Sequence, residues 1–209
     1  MIEAYECVIV ANGLFPSGSL ALELLNTASF IIACDGAVIQ LEKRGKIPQA
    51  VVGDLDSLSQ DLRERYADRL HRVEDQETND LTKAVNYAEA AGYKEVLILG
   101  ATGLREDHTL GNISLLIGYA SRFERVEMLS DYGWFTPVLH TVTLASYPGQ
   151  PVSLFSLYPH QAISVQGLLY PIENRQLYYW WEATLNEALD TSFTVILAEG
   201  AQVIVYRGF

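Results

Sequence analysis

Two kinds of apolar pattern alternate along the first 130 or so residues. The first is a short, nearly continuous apolar run, seen at 5–11, 30–34, 50–53, 95–99 and 125–129. Runs of this length, bounded by turn residues, predict strands buried on both faces. The second is a recurrence every three or four positions, which predicts helices with one buried face. It covers 19–26 (Leu20, Leu24, Leu25), 38–44 (closed by Gly45) and a charged stretch at 58–67. It returns at Leu81, Ala84, Val85 and Ala88 (ended by Gly92), and in a helix opened by Asp107 through Ile113, Leu116 and Ile117. His71-Arg72-Val73 adds a short strand. Strand followed by helix, repeated in this way, predicts an α/β domain with a doubly wound, mostly parallel, Rossmann-like sheet.

The pattern changes after Asp131. From 134 to 209 the chain is aromatic, broken by Pro148-Gly149, Gly167, Pro171 and Gly200, and alternates at 138–144, 151–157, 162–165, 193–198 and 202–206. No helical period survives. A small antiparallel β-sandwich domain is expected, with the boundary near Tyr132-Gly133, giving units 1–132 and 133–209.

Composition narrows the function classes. With 209 residues, 49% of them hydrophobic, there is material for a sizeable core. No apolar run reaches the roughly 20 residues of a membrane span. The start, Met1-Ile2-Glu3-Ala4-Tyr5-Glu6-Cys7, carries acids where a signal peptide needs bases. A soluble, cytoplasmic protein without a membrane partner is expected. Cys7 and Cys34 both lie in apolar runs and read as buried, reduced thiols. A net charge of −12 argues against a nucleic-acid surface.

Candidate chemistry sits where the apolar runs end. Ligands of open α/β sheets bind beyond the carboxyl ends of the strands. Three such ends are polar: Asp35-Gly36, Gly53-Asp54-Leu55-Asp56-Ser57 and Gly100-Ala101-Thr102-Gly103, and they should share one edge. Asp54 and Asp56 are close enough to repel unless a cation joins them, and oxygen-only ligands suit a hard ion such as Mg²⁺. The competing reading is an acidic turn capping a helix, with Ser57 as N-cap. In Asp75-Gln76-Glu77-Thr78-Asn79-Asp80-Leu81-Thr82-Lys83, Thr78 is a candidate cap, and Asp80 and Lys83 fall on one helical face. That places a carboxylate for a metal beside an ammonium for a phosphate; the alternative is a surface ion pair. Arg105 offers a donor fork matched to phosphate oxygens, Asp107 caps a helix or holds Arg105 or the metal, and His108 and Asn112 follow one turn apart. Neither a Walker lysine loop nor a G-x-G-x-x-G dinucleotide loop is present. A general base, where one is needed, would be one of the carboxylates, Asp75 and Asp107 being two examples between which the sequence does not choose.

These blocks resemble, in order and spacing, those of the thiamine pyrophosphokinase family: an A-D-G segment, G-D-x-D-S, D-x-x-T-D-x-x-K-A and G-x-x-G-x-R-x-D-H-x-x-x-N. Here they read Cys34-Asp35-Gly36, Gly53 to Ser57, Asp75 to Ala84 and Gly100 to Asn112. The resemblance implies transfer of a pyrophosphoryl group from ATP to the hydroxyl of thiamine. It implies that Asp54, Asp56 and Asp80 hold Mg²⁺ and that Arg105 and Asp107 join them in catalysis. Asp35, Gly36, Lys83, Thr102, Gly103, Arg105, His108 and Asn112 would line the ATP site. Gln76, Thr78 and Asn186 would contact thiamine, with Trp180 and Trp181 offering flat faces to its rings. It also implies a homodimer whose second domain completes the thiamine pocket. The family's G-x-S-N segment is altered here to Ala183-Thr184-Leu185-Asn186. That change motivates one rival, a pyrophosphokinase for another alcohol such as a hydroxymethylpterin. A second rival, from a different class, is a non-catalytic nucleotide or thiamine sensor, against which the intact set of acids argues.

Overall fold

The computed structural model describes residues 4–209, so the first three positions of the acidic start lie outside the described residues. The chain divides into two compact units, Met1–Leu115 with Arg122–Asp131, and Leu116–Ser121 with Tyr132–Phe209.

In the first unit the apolar runs become strands β1 (Cys7–Val10), β2 (Phe30–Cys34), β3 (Ala50–Gly53), β4 (Leu70–Arg72), β5 (Glu95–Leu99) and β6 (Arg125–Ser130). The periodic stretches become helices α1 (Ser19–Thr27), α2 (Ala37–Glu42), α3 (Gln60–Arg65), α4 (Asp80–Ala90) and α5 (Glu106–Ala120), the last part of α5 from Leu116 on being counted with the second unit. The strands pair in the order β6-β5-β1-β2-β3-β4, every pair parallel. The side chains of Ile9, Val10, Ile32, Val51, Val52, Leu97 and Ile98 are fully buried. Such β-branched and aliphatic runs fill both faces of a covered parallel sheet. Helix α4 lays its buried face, Leu81, Ala84, Val85 and Ala88, against β1, β2 and β3. Cys7 and Cys34 are buried free thiols, as expected, and burial pushes the Cys7 thiol up to about 12.

Two caps differ from expectation. Helix α3 is capped by Ser59, whose Oγ accepts the Leu62 amide at 3.3 Å, and not by Ser57. The Ser57 hydroxyl is drawn away to donate to Asp35 at 2.7 Å. Helix α4 is capped by Asn79, whose Oδ1 accepts the Thr82 amide at 2.9 Å, and not by Thr78. The Thr78 hydroxyl donates instead to Asp75. In both cases the helix starts later than that residue, and its hydroxyl turns to a carboxylate while the next suitable side chain caps the helix.

The second unit is β-rich: β7 (Gly133–Val138), β8 (Val142–Ala145), β9 (Pro151–Ser156), β10 (Ala162–Gln166), β11 (Ile172–Gln176), β12 (Asn186–Glu187), β13 (Ser192–Leu197) and β14 (Val203–Gly208). One set runs β12-β9-β14-β7 and the other β11-β10-β13-β8, with antiparallel pairing throughout. Val138, Val152, Leu154, Val203 and Val205 from the first set share a core with Ile163, Val165, Phe193 and Val195 from the second. The alternation over 138–144 is not one strand. It is divided between β7, which pairs with β14, and β8, which pairs with β13. Alternation marks burial and continues through a chain that changes partner sheet. Strands β11 and β12 carry no readable period because one is an exposed edge and the other spans two residues.

Candidate active site

The strand order reverses at β1, which has β2 on one side and β5 on the other. A crevice opens at such a reversal, because the connections leave on opposite sides. A cleft of about 410 Å³ lies there. It is lined by Ala11, Asn12 and Gly13 after β1, Cys34 at the end of β2, Asp54 after β3, and Ala101 to Arg105, less Thr102, after β5. The segment entering α4 adds Gln76, Thr78, Asn79, Asp80 and Lys83, and the first turns of α5 add His108 and Asn112. Two helix amino termini therefore border one cavity, a setting that favours anions.

Backbone packing shapes the walls. The Gly13 amide donates to the Gly100 carbonyl at 2.7 Å and the Leu14 amide to the Thr102 carbonyl at 2.9 Å, so the β1 and β5 loops are laced together. Asn112 donates to the Ala101 carbonyl at 2.8 Å and accepts from Asn79 at 3.1 Å, joining α5 to the cap of α4. Asp35, Leu55 and Leu104, each just past a strand end, hold φ of 34°, 66° and 64°. Left-handed backbone at non-glycine residues costs about 1–3 kcal/mol each and gathers at functional sites.

The acids are crowded but not equivalent. A Cβ on Gly53 would meet the Asp35 Cβ at 2.9 Å and an Asp80 carboxylate oxygen at 3.4 Å, so Asp35 and Asp80 converge on that glycine. Asp35 is buried, and one of its carboxylate oxygens has no hydrogen-bond partner. Burial, then the charges of Asp80 and Asp54, push its pKa up against the Ser57 bond that lowers it. Lys83 is not a surface residue. Its side chain is only 3% exposed, and its ammonium reaches Asp80 at 3.2 Å. Asp56 is exposed, and its amide donates to Asp54 at 3.0 Å, which folds the acidic loop into a turn. Among the described residues no three His, Cys, Asp or Glu side chains converge into a metal-holding group. The orphaned Asp35 oxygen and the crowded carboxylates still fit a cation, provided other ligands complete its shell. Mg²⁺ is commonly held that way, by one or two carboxylates plus substrate phosphates.

Arg105 and Asp107 face each other in a two-point pair, at 3.1 and 2.5 Å. That bond, helped by the His108 amide, holds the Asp107 carboxyl down to about 2. Asp75 is likewise held below the usual range, first by Thr78. A proton acceptor works best with a pKa near the working pH, so neither acid is poised as a base. The Asp107–Arg105 pair supports the folded state above the ordinary carboxylate range and loses that support as pH falls towards 2. Nuclear magnetic resonance titration should give a midpoint near 2 for Asp107. In Arg105→Gln the midpoint should return close to 3.8, and an unmoved midpoint would show that the pair is not its cause.

Of the residues expected to bind ATP, Lys83, Gly103, Arg105, His108 and Asn112 line the cleft. Asp35, Gly36 and Thr102 are not among its lining residues, and neither are Asp56 and Asp107. A Cβ on Gly36 would come within 2.8 Å of the Asn12 side-chain amide nitrogen, so the Asn12 side chain would have to shift to admit one. Asn12, Gly13 and Asn79 were not anticipated as lining residues. The signal for the first two was a polar Asn-Gly immediately after a buried run.

Residues 21–128 match the family model for the catalytic domain of thiamin pyrophosphokinase, and residues 133–206 match that for its substrate-binding domain. The chain belongs to the thiamin pyrophosphokinase family. It is 31% identical to thiamin pyrophosphokinase 1 of Caenorhabditis elegans over 108 residues, which is 47% of this chain and 44% of that protein. It is 36% identical to thiamine pyrophosphokinase of Bacillus subtilis over 89 residues, 41% of this chain and 42% of that one. The match thus spans less than half the length of these relatives. Likeness in fold is more extensive. The crystal structure of the Bacillus subtilis thiamine pyrophosphokinase aligns with a TM-score of 0.78 at 20% identity, over 96% of this chain and 98% of that one. The Candida albicans thiamin pyrophosphokinase aligns at 0.80 and 16%, over 97% and 90%.

In the unit matching the family's substrate-binding domain, Asn186 is buried and its amide group is engaged with the Tyr170 backbone in both directions, at 3.0 and 2.7 Å. Trp180 tilts against Phe155 with ring centres 5.7 Å apart and donates its indole N–H to the Ser156 carbonyl. Trp181 is 71% exposed and Leu185 88% exposed, while Ala183 is buried. The altered segment therefore turns one apolar residue in and one out, with Leu185 in left-handed backbone.

Proposed function

We propose that the chain is a thiamine pyrophosphokinase, moving a pyrophosphoryl group from ATP to the hydroxyl of thiamine and releasing AMP. The observation that carries this reading is the cleft at the strand-order reversal. It gathers Asp54, Asp80, Lys83 and Arg105 in a chain whose two halves both match this family.

Lys83 and Arg105, with the amino ends of α4 and α5, would bind the ATP phosphates. Asp80 holds the Lys83 ammonium in place at 3.2 Å, so that a buried cation faces the phosphates without being free to swing. Asp54, Asp56 and Asp80, with Asp35 behind them, would hold Mg²⁺ together with phosphate oxygens. When bound, the ion neutralises charge on the transferring group. The hydroxyl oxygen of thiamine forms the new bond to the β-phosphorus. The bond from that phosphorus to the oxygen of the α-phosphate breaks, AMP leaves with that oxygen, and the hydroxyl proton passes to solvent. Gln76 and Thr78 lie in the segment entering α4 and would meet thiamine there.

The same reading gives residues 1–132 the catalytic work on a doubly wound, Rossmann-like sheet. Residues 133–209 form a β-sandwich that completes the thiamine site, through Asn186, Trp180 and Trp181, in a homodimer. The two buried free thiols suit a cytoplasmic enzyme. The test is AMP release from Mg-ATP with thiamine, with a hydroxymethylpterin, and with neither. Release with thiamine alone is expected. Release only with the pterin, or tight binding of both ligands without turnover, would overturn the assignment.

A further inference from the structure

We infer that Arg63, a residue outside the cleft, is the positioning residue of the acidic loop: its guanidinium grips the backbone of 55–58 and so sets where Asp54 and Asp56 point. This inference rests on the proposed role of that loop in holding a metal and phosphates.

The loop needs an external hold. Between the end of β3 at Gly53 and the cap of α3 at Ser59 the chain makes a tight turn with Leu55 in left-handed backbone. Its internal bonds are few: the Asp56 amide to Asp54, and a long Leu58 amide bond to the Leu55 carbonyl at 3.3 Å. The turn also places Asp54 beside Asp35 and Asp80, whose charges oppose it. Left to itself, such a loop would relax away from like charge.

Arg63 opposes that relaxation from the second turn of α3. One terminal nitrogen of its guanidinium donates to the Leu55 carbonyl at 2.7 Å, and Nε donates to the Leu58 carbonyl at 3.1 Å. These carbonyls flank Asp56 and Ser57, and Ser57 is the residue bonded to Asp35. The helix end that carries Arg63 is itself fixed, because its amide donates to the Ser59 carbonyl and Ser59 caps the helix. The next arginine on the helix behaves differently. Arg65 pairs with the carboxylates of Asp61 and Glu42, whereas Arg63 makes no ion pair among the described residues. A planar fork can span two carbonyls at a fixed separation, and a lysine ammonium has no equivalent geometry.

The experiment compares purified full-length wild type, Asp54→Asn, Arg63→Gln, Arg63→Lys and Arg65→Gln. Binding of Mn²⁺ in the presence of α,β-methylene-ATP is read by electron paramagnetic resonance, thermal midpoints are measured, and AMP assays separate kcat from the KM for metal-ATP. Removing a residue that orients metal-holding groups typically weakens metal binding by roughly 10–100-fold. That loss is expected in Arg63→Gln, with a raised KM, part of it recovered in Arg63→Lys. Arg65→Gln removes the same charge from the same helix and should bind as wild type does. If Arg63→Gln binds Mn²⁺ as wild type does while Asp54→Asn does not, the inference fails and the metal reading stands. If Arg63→Gln is too unstable to assay, Arg63→Lys decides, and wild-type affinity in a folded Arg63→Lys overturns the fork argument. Wild type that binds no Mn²⁺ with the analogue removes the metal reading and this inference with it. A lowered midpoint with unchanged binding would mark Arg63 as structural only.

Discussion

Replacing Asp54 by asparagine should nearly abolish AMP release and leave the thermal midpoint almost where it was. Asp54 Oδ1 accepts the Asp56 amide at 3.0 Å, and an asparagine oxygen accepts the same bond, so the turn survives. What disappears is one negative charge in the cleft. In the empty protein that charge is a liability, since it stands among Asp35 and Asp80 and helps to push the Asp35 carboxyl up. The folded state therefore loses nothing and gains slightly from relieved repulsion. In the proposed loaded state the same charge would be part of what holds a metal against phosphate oxygens. Removing one electrostatic partner of a reacting phosphate costs on the order of 100–1,000-fold in kcat. A variant that melts well below wild type yet keeps its turnover would show that Asp54 is an architectural acid, and the proposed site would have to be redrawn.

Gly13→Ala should be the most damaging small substitution in the first unit. A Cβ there would stand 2.5 Å from the Gly100 carbonyl oxygen and 2.7 Å from that of Thr102. Both are backbone atoms engaged by the hydrogen bonds that lace the β1 loop to the β5 loop, so neither yields cheaply. Relief requires the loops to part, which strains the end of two paired strands and weakens at least one bond. Overpacking plus a lost bond amounts to about 2–4 kcal/mol. In a chain of this size that lowers the midpoint by roughly 5–15 °C. Because Asn12, Gly13 and Gly103 line the cleft, ATP binding measured by calorimetry should weaken in the same variant. Gly118→Ala is the matched control. That glycine is exposed in α5 with nothing within 4 Å of an added Cβ, and alanine there should raise helix stability by about 0.5–1 kcal/mol. Equal midpoints and equal ATP affinity for wild type and Gly13→Ala would refute the close-approach argument.

The difference between these two positions also marks what can be read along a chain and what cannot. Asp54 announces itself, because a buried apolar run ends in two carboxylates. Strand β2 and strand β3 have the bounds that the apolar runs indicate, since their residues face protein on both sides and leave no polar interruption. Gly13 carries no such mark. Its importance comes from β1 lying beside β5, and strand order is a property of the whole sheet. Lys83 makes the same point. Its spacing from Asp80 reads equally well as a surface pair, and only the docking of α4 on the sheet buries it. Caps failed for a related reason. Ser57 and Ser59 are equivalent to a local reading, and only the structure shows Ser59 at the cap and Ser57 turned to Asp35, 22 residues away. In the second unit a two-residue strand and an exposed edge strand leave no period to find.

The register of β1 with β5 has a temporal consequence. Cys7 pairs with Val96 and Val10 with Leu99, so the two walls of the cleft are about ninety residues apart in the chain. Contacts of such separation form slowly, because a long loop must close before they repay its entropy. During synthesis the first wall can pair with β2 early but has no facing wall until β5 has emerged. A growing chain that stops short of it carries the acidic loop and Lys83 but lacks one wall of the cleft. The cleft is thus completed in one late step and not accumulated, and a ligand held between the two loops would act as a clasp on a contact of long sequence separation.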